Sequence, residues 1–121
     1  MDITRAEHKC CDLYKVTGRI DSLTAPNVAE ALAQSTNGGR FNVILDLSSV
    51  EYVSSAGLRV MINVQKTCKN SGRGELVFSS VSKRVLDTLE IAGFVPLFKF
   101  FDNAEAAVAS FSTQEKTEGA Q

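Results

Sequence analysis

The residues best suited to chemistry form one short segment, Ser54-Ser55-Ala56-Gly57-Leu58, which follows an apolar stretch and precedes a helical pattern. Backbone N–H groups and the positive end of a helix dipole lie at a helix start. A phosphate on Ser54 or Ser55 would therefore be tolerated there. A phosphoserine adds about two negative charges and three acceptor oxygens. On an exposed contact surface, this addition is enough to abolish binding with little change in fold.

The same residues also have a purely structural interpretation. A serine pair before a helix is commonly an N-cap, in which a hydroxyl accepts a hydrogen bond from a backbone N–H. The missing side chain of Gly57 permits close packing of helix against sheet, and it also leaves room for the backbone of a partner. Local chemistry leaves both interpretations open.

The elements that position this segment follow from the hydrophobic pattern. The apolar run Val43-Ile44-Leu45 predicts a central strand over 41–47, followed by a short link over 50–53 and a helix from Leu58 to about Asn70. Strands are also predicted over 3–7, 11–16, 76–78 and 97–101, and helices beginning at Thr24, Ser82 and either Asp102 or Asn103. The order β-β-α-β-α-β-α-β-α predicts an α/β fold with a parallel or mixed sheet.

Functional residues in open α/β sheets concentrate beyond the carboxyl ends of strands. Two predicted loops meet this condition. One follows Val16 and carries Gly18-Arg19-Ile20-Asp21, and the other follows Leu47 and leads to the serine pair.

Charge and length exclude several classes of function. The net charge is −1 and the pI is about 5.8, whereas nucleic-acid-binding proteins usually present a basic face. Lys66, Lys69 and Arg73 come nearest to a basic cluster, and their helical spacing is typical of a solvated face, with a weak electrostatic contact surface as the alternative. No apolar run approaches the roughly 20 residues that span a bilayer.

Cysteine usage and the amino terminus predict a cytoplasmic protein without metal or cofactor. Cys10, Cys11 and Cys68 provide neither a disulfide framework nor a zinc-binding spacing. Cys11 falls on a predicted core position, where it acts as a small hydrophobe. The first twelve residues contain no apolar signal region.

Enzymatic alternatives lack their required partners. Ser55 is not part of a Gly-x-Ser-x-Gly nucleophile elbow, and the single histidine, His8, lies in a weak edge segment. A phosphoacceptor role for Asp46 would need an acidic pair to hold magnesium. Asp12 and Asp21 are too far apart in register to form that pair. A binding domain that is not an enzyme is therefore favoured.

Four segments in the right order resemble one known family. The run DLSSVEYVSSAGLRVM over 46–61 resembles the core signature of STAS domains, and more narrowly that of bacterial anti-sigma-factor antagonists. GRIDSLTAP over 18–26, VLDTLEIAGF over 85–94 and residues 98–104 resemble further family landmarks. The resemblance implies a STAS fold over residues 1–111, with a mixed sheet and helices mainly on one face. Residues 112–121 are then expected to form a polar, disordered tail.

The resemblance assigns roles to individual residues. Ser55 stands two residues before the glycine, at the position of the phosphorylated serine. Ser54 stands where many members have aspartate and remains a rival acceptor, whereas Ala56 stands where many have a second hydroxyl. The implied partner-binding residues are Asp21, Ser22, Ser54, Ala56, Gly57, Leu58 and Arg59.

The resemblance also implies a mechanism. The unphosphorylated antagonist binds an anti-sigma factor, itself a serine kinase of the histidine-kinase-like ATPase type, and so releases the sigma factor. Phosphorylation on Ser55 ends binding, and a PP2C-type phosphatase resets the protein, which is expected to be a monomer. The alternative is a STAS partner-switching protein with a non-sigma target, in secretion, the stressosome or lipid transport.

Overall fold

The computed structural model describes the backbone of residues 1–119 and the side chains of residues 1–112. The predicted order of strands and helices is confirmed. The elements are β1 (Asp2–Glu7), β2 (Asp12–Ile20), α1 (Ala25–Asn37), β3 (Val43–Val53), α2 (Ser55–Asn70), β4 (Leu76–Ser79), α3 (Lys83–Ile91), β5 (Phe100–Phe101) and α4 (Ala104–Gly119). Residues 120–121 lie outside the described part, and the disordered tail over 112–121 stays a prediction.

The five strands form one mixed sheet in the order β1-β2-β3-β4-β5, in which only the β1–β2 pair is antiparallel. Helices α1, α2 and α3 contribute to a large apolar cluster on one face, and α4 to a smaller one on the other. The predicted mixed sheet with helices mainly on one face is therefore confirmed. The larger cluster includes Val28, Leu32, Leu45, Met61, Phe78, Val85 and Leu89, and the smaller one includes Ile44, Val77, Ala107 and Phe111.

Strand β3 is longer than the sequence predicts. It spans Val43–Val53, so the predicted end at Leu47 and the link after it are wrong. Leu47, Val50 and Val53 are buried in the same cluster at a spacing of three residues, which a regular strand does not allow. At two register shifts, β3 advances one residue more than β2. Each extra residue forms a bulge that reverses the face to which the following side chains point. The second half of β3 therefore lacks the regular alternation of apolar and polar residues by which a strand is recognised in a sequence.

Strand β2 also continues beyond its predicted end at Val16, as far as Ile20. Gly18 lies inside the strand, next to the second register shift, with a φ of +114°. Glycine adopts this backbone conformation without the steric cost that other residues meet. The glycine therefore bends the strand instead of ending it, and the loop after β2 begins only at Asp21.

The last predicted strand, over 97–101, is wrong in its first half. Val95–Leu97 form a short 3₁₀ helix, and β5 contains only Phe100 and Phe101. Pro96 has no backbone N–H to donate to a strand ladder, which favours the helical turn at this point.

Three predicted helix starts are confirmed in position. The Ser82 hydroxyl caps α3, and the Asn103 side chain accepts a hydrogen bond of 2.8 Å from the backbone N–H of Ala106 in α4. Thr24 occupies the N-cap of α1, but its side chain does not cap the helix. Its hydroxyl donates instead to the carbonyl of Arg19 at 2.7 Å, which ties the helix start to the end of β2.

The cysteines are free thiols, and two of them are part of the core. Cys11 is 1% exposed, which confirms its predicted core position. Burial raises the pKa of the Cys11 thiol to about 12 and that of Cys68 to about 11. Both therefore remain protonated at neutral pH, where they behave as small hydrophobic side chains.

A buried carboxylate joins three parts of the fold at the amino ends of the parallel strands. Asp12 is 0% exposed and accepts hydrogen bonds from Arg5 at 2.9 Å, from Arg40 at 2.8 Å and from the Ser35 hydroxyl. These donors lie on β1, before β3 and in α1. Burial by itself raises the pKa of Asp12, but the bonds from Ser35, Arg5 and Arg40 outweigh it and hold the pKa below its usual value.

The start of α2 is pressed against the sheet at a residue without a side chain. A Cβ on Gly57 would lie 2.7 Å from Ile20 Cγ2 and 2.9 Å from Val53 Cγ1. Both neighbours are buried, β-branched side chains with little freedom to move. The first turn of α2 therefore approaches the ends of β2 and β3 as closely as it does because position 57 is glycine.

We expect Asp12→Asn to lower the free energy of unfolding at pH 7 by about 3 kcal/mol, since it leaves two guanidinium groups without their shared carboxylate. Urea unfolding measures the loss. The matched control is Asp87→Asn, an exposed position on α3, which should leave the unfolding midpoint unchanged.

The same pair of proteins should show a defined pH dependence. Because the pKa of Asp12 is lower in the folded state, its contribution is complete above about pH 4 and is lost as pH falls through the folded value. The stability difference between wild type and Asp12→Asn should therefore narrow below about pH 4. A difference that stays constant down to the acid limit of folding would contradict this role.

We expect Gly57→Ala to destabilise the protein by about 1–2 kcal/mol, because overpacking outweighs the gain of about 1 kcal/mol in helix propensity. Asn63→Ala, at an exposed position of the same helix, is the matched control and should be neutral or stabilising. If both variants raise the urea midpoint alike, the close approach at residue 57 does not limit stability.

Candidate functional site

The start of α2 is defined by hydrogen bonds around Ser54. Its backbone is extended, and its hydroxyl accepts a hydrogen bond of 3.3 Å from the N–H of Gly57. The N–H of Ser54 donates to the carbonyl of Ile20 at 2.8 Å, which joins this turn to the end of β2. The carbonyl of Ser54 then accepts the first helical bond, from Leu58. Ser54 is therefore the N-cap, and its hydroxyl is engaged in holding the helix start.

Ser55 differs from its neighbour in both exposure and bonding. It is the first residue of α2 and is exposed, whereas Ser54 is half-buried. Within residues 1–112, the side chain of Ser55 takes part in no hydrogen bond. The two serines that the sequence leaves as rivals thus have different environments, and only the Ser55 hydroxyl is presented to solvent without a structural task.

The loop between β2 and α1 is organised by Asp21. Its Oδ1 accepts hydrogen bonds from the N–H of Leu23 at 3.0 Å and of Thr24 at 3.1 Å. The backbone bond from Thr24 contributes most to holding the pKa of Asp21 below its usual range, and the bond from Leu23 adds to it. The carboxylate is thus ionised at neutral pH, and it shapes the loop as well as adding charge to the surface.

The two loops meet at one edge of the sheet, at the carboxyl ends of β2 and β3. Ile20 pairs with Val53 in the ladder, so the residues that follow each strand are neighbours in space. The structure thereby brings together all the residues predicted to bind a partner. Ser22, Ser55 and Arg59 are exposed, Asp21, Ser54, Ala56 and Leu58 are partly exposed, and Gly57 is buried.

Two residues at this edge, Leu23 and Tyr52, were not predicted from the sequence. Leu23 is 84% exposed, and Tyr52 is 42% exposed with the Arg19 guanidinium 4.5 Å from its ring centroid. The only sequence signal for Leu23 is that it is apolar but lies before α1, outside the stripe of apolar residues that the helix buries. Tyr52 was hidden because residues 50–53 do not alternate as a regular strand does. We call Arg19, Tyr52 and residues 21–24 and 54–59 together the rim surface.

In the described part of the chain, the side chains that an enzymatic or metal-binding function would require do not gather around Ser55. Asp46 is buried, and its Oδ1 accepts a hydrogen bond of 2.8 Å from the N–H of Ser48, next to the first bulge of β3. His8 lies in the β1–β2 connection at the opposite edge of the sheet from Ser55, so these two residues do not form a nucleophile–base pair. The side chains described for residues 1–112 include no cluster of three histidine, cysteine or carboxylate groups able to hold a metal ion.

The sequence matches a known protein family over most of its length. The model of the STAS domain matches residues 3–107. BtrV of Bordetella bronchiseptica, which is described as an anti-sigma factor antagonist, is 38% identical over 96 residues, covering 79% of this chain and 82% of BtrV.

Solved structures share the fold. A protein from Thermotoga maritima described as an anti-sigma factor antagonist superposes with a TM-score of 0.84 at 20% identity, covering 91% of this chain and 94% of the other. The phosphorylated form of SpoIIAA, the Bacillus cell fate determinant, gives a TM-score of 0.72 at 10% identity, covering 90% and 98%. Across residues 1–119, no helix is long and apolar enough to cross a membrane. The chain therefore belongs to the STAS domain family and, within it, to the anti-sigma factor antagonists.

Proposed function

We propose that the unphosphorylated protein binds an anti-sigma factor through the rim surface, thereby releasing a sigma factor, and that phosphorylation of Ser55 switches this binding off. One observation carries the proposal. Ser55 is exposed at the first position of α2, beside the Asp21–Thr24 loop, while the neighbouring Ser54 hydroxyl is engaged as the helix cap.

The names of the relatives support this assignment. BtrV is described as an anti-sigma factor antagonist, and SpoIIAA has been solved in a phosphorylated form. Both descriptions belong to those proteins, and the residues of this chain provide the means for the same behaviour. The exposed hydroxyl of Ser55 is an acceptor, and the rim surface around it is a place where a phosphate would interfere with a partner.

The proposed partner is a serine kinase of the histidine-kinase-like ATPase type. In the transfer, the Oγ–H bond of Ser55 breaks, a bond forms between Oγ and the γ-phosphorus of ATP, and ADP leaves with the bridging oxygen. The proton passes to a base on the kinase. A PP2C-type phosphatase reverses the modification by hydrolysis. The chain itself supplies only the acceptor hydroxyl, so in this transfer it acts as the substrate and not as the enzyme. The proposal includes the expectation that the protein is a monomeric, cytoplasmic regulator.

The physical effect of the phosphate follows from the composition of the rim surface. Leu23 and Tyr52 supply apolar contact area, and Asp21 already contributes one negative charge. A phosphate adds about two more charges that must be desolvated on binding. A penalty of about 2–4 kcal/mol weakens binding roughly 30- to 1000-fold, which is sufficient for a switch.

We expect the cognate kinase and ATP to add one phosphate, on Ser55. Ser55→Ala should abolish the modification, whereas Ser54→Ala should keep it while losing about 1 kcal/mol of stability with the cap. Phosphosite mass spectrometry reads the position directly. Phosphate found on Ser54 or Asp46 would show that Ser55 is not the phosphorylation site.

Ser55→Asp should bind the kinase roughly 30- to 1000-fold more weakly by calorimetry, with an unchanged circular dichroism spectrum.

We expect Leu23→Ser to weaken kinase binding about tenfold or more, because burying the exposed leucine side chain against a partner contributes about 1.5–3 kcal/mol. Its melting temperature should stay unchanged, since Leu23 is 84% exposed in the free protein. Ile91→Ser is the matched control, because Ile91 is 88% exposed at the end of α3, outside the rim surface. Equal losses of affinity in the two variants would show that Leu23 has no special role.

A further inference from the structure

We infer that Arg59 is the internal partner of the phosphate on Ser55, and that phosphorylation thereby withdraws this arginine from the rim surface. The inference rests on the proposed function for the presence of the phosphate. It adds the group of this chain that receives the phosphate, and a second way in which the modification ends binding.

The positions of the two residues on α2 bring them together. Ser55 is the first residue of the helix and Arg59 is the fifth, so they are four positions apart. Side chains at this spacing lie on the same helix face, with Cβ atoms about 5–6 Å apart. Long side chains on a helix lean toward its amino terminus, which directs a guanidinium at position 59 over the turn that carries Ser55. Both residues are exposed, so neither must leave the core to meet the other.

Arg59 is available for this contact, unlike the other arginines near the sheet. Arg5 and Arg40 are bound to Asp12, and the guanidinium of Arg19 lies on the ring of Tyr52. Among the side chains of residues 1–112, the salt bridges join Arg5, Arg40 and Lys99 to carboxylates, and none includes Arg59. The first turn of α2 also contains no acidic residue that would compete with a phosphate.

The chemistry makes the contact depend on the modification. A serine hydroxyl offers a guanidinium only a neutral acceptor, whereas a phosphate offers two or three charged oxygens and accepts a bidentate pair. Before phosphorylation, the Arg59 guanidinium is free to meet a carboxylate of the partner. After phosphorylation, the phosphate on Ser55, one helical turn before Arg59, holds the same guanidinium. The modification therefore adds negative charge and removes a positive contact in one step.

Other charges near Ser55 are common to all the proteins to be compared. Asp21 on the β2–α1 loop and Glu51 on β3 are carboxylates that disfavour the second ionisation of a phosphate at this edge. Arg19 on β2 favours it. A difference between wild type and an Arg59 variant therefore isolates the contribution of Arg59.

The test uses phosphoserine placed at position 55 during synthesis of the full chain, so it needs neither kinase nor phosphatase. The second pKa of the phosphate is measured by ³¹P NMR in wild type, Arg59→Gln and Arg59→Lys. We expect this pKa to rise by about 0.5 unit in Arg59→Gln and by less in Arg59→Lys. Arg73→Gln, at an exposed position beyond the far end of α2, is the matched control and should behave as wild type. Equal pKa values in wild type and Arg59→Gln overturn the inference.

A second measurement tests the withdrawal of Arg59 from the partner. The ratio of kinase affinities for the unphosphorylated and phosphorylated proteins should fall about fivefold in Arg59→Gln, and should not change in Arg73→Gln. A ratio unaffected by Arg59→Gln overturns the withdrawal. Failure of the proposed function would look different, because the kinase would then neither bind the protein nor modify Ser55.

Discussion

The rim surface depends on the contact between the first turn of α2 and the end of β2. No side chain separates Gly57 from Ile20, and the N–H of Ser54 bonds to the carbonyl of the same isoleucine. These two contacts place segments more than thirty residues apart in the sequence on one edge of the sheet. The exposed hydroxyl of Ser55 lies beside the Asp21 loop for this reason, and not because either segment forms a site by itself.

The two serines at the start of α2 have different roles in the fold. Ser54 uses its hydroxyl to hold the N–H of Gly57, which leaves the Ser55 hydroxyl without a structural role. Aspartate and serine are both strong N-caps, so Ser54 caps the helix without placing a negative charge beside Ser55. Asp21 likewise serves the loop backbone and the charge of the surface at once.

The sequence was informative where the signal is local and insufficient where it depends on distant contacts. The apolar run at Val43–Leu45, the cap at Ser82 and the serine–glycine turn were predicted because neighbouring residues determine them. The bulges of β3 were not, since they exist only relative to β2, and with them the exposure of Tyr52 was missed. The buried site of Asp12 could not be predicted either, because its donors come from β1, α1 and the connection before β3.

The position of Asp12 bears on how the phosphorylated and unphosphorylated forms are degraded in the cell. This carboxylate lies at the start of β2, and the proposed phosphate lies beyond the end of the neighbouring β3, about 25 Å away at the usual rise per strand residue. That distance is about three Debye lengths at physiological ionic strength, so the two charges scarcely interact. The contribution of Asp12 to folding stability should then be the same with and without the phosphate. Loss of the Asp12 contacts would therefore raise the susceptibility of both forms to proteases that sample the unfolded state by the same factor.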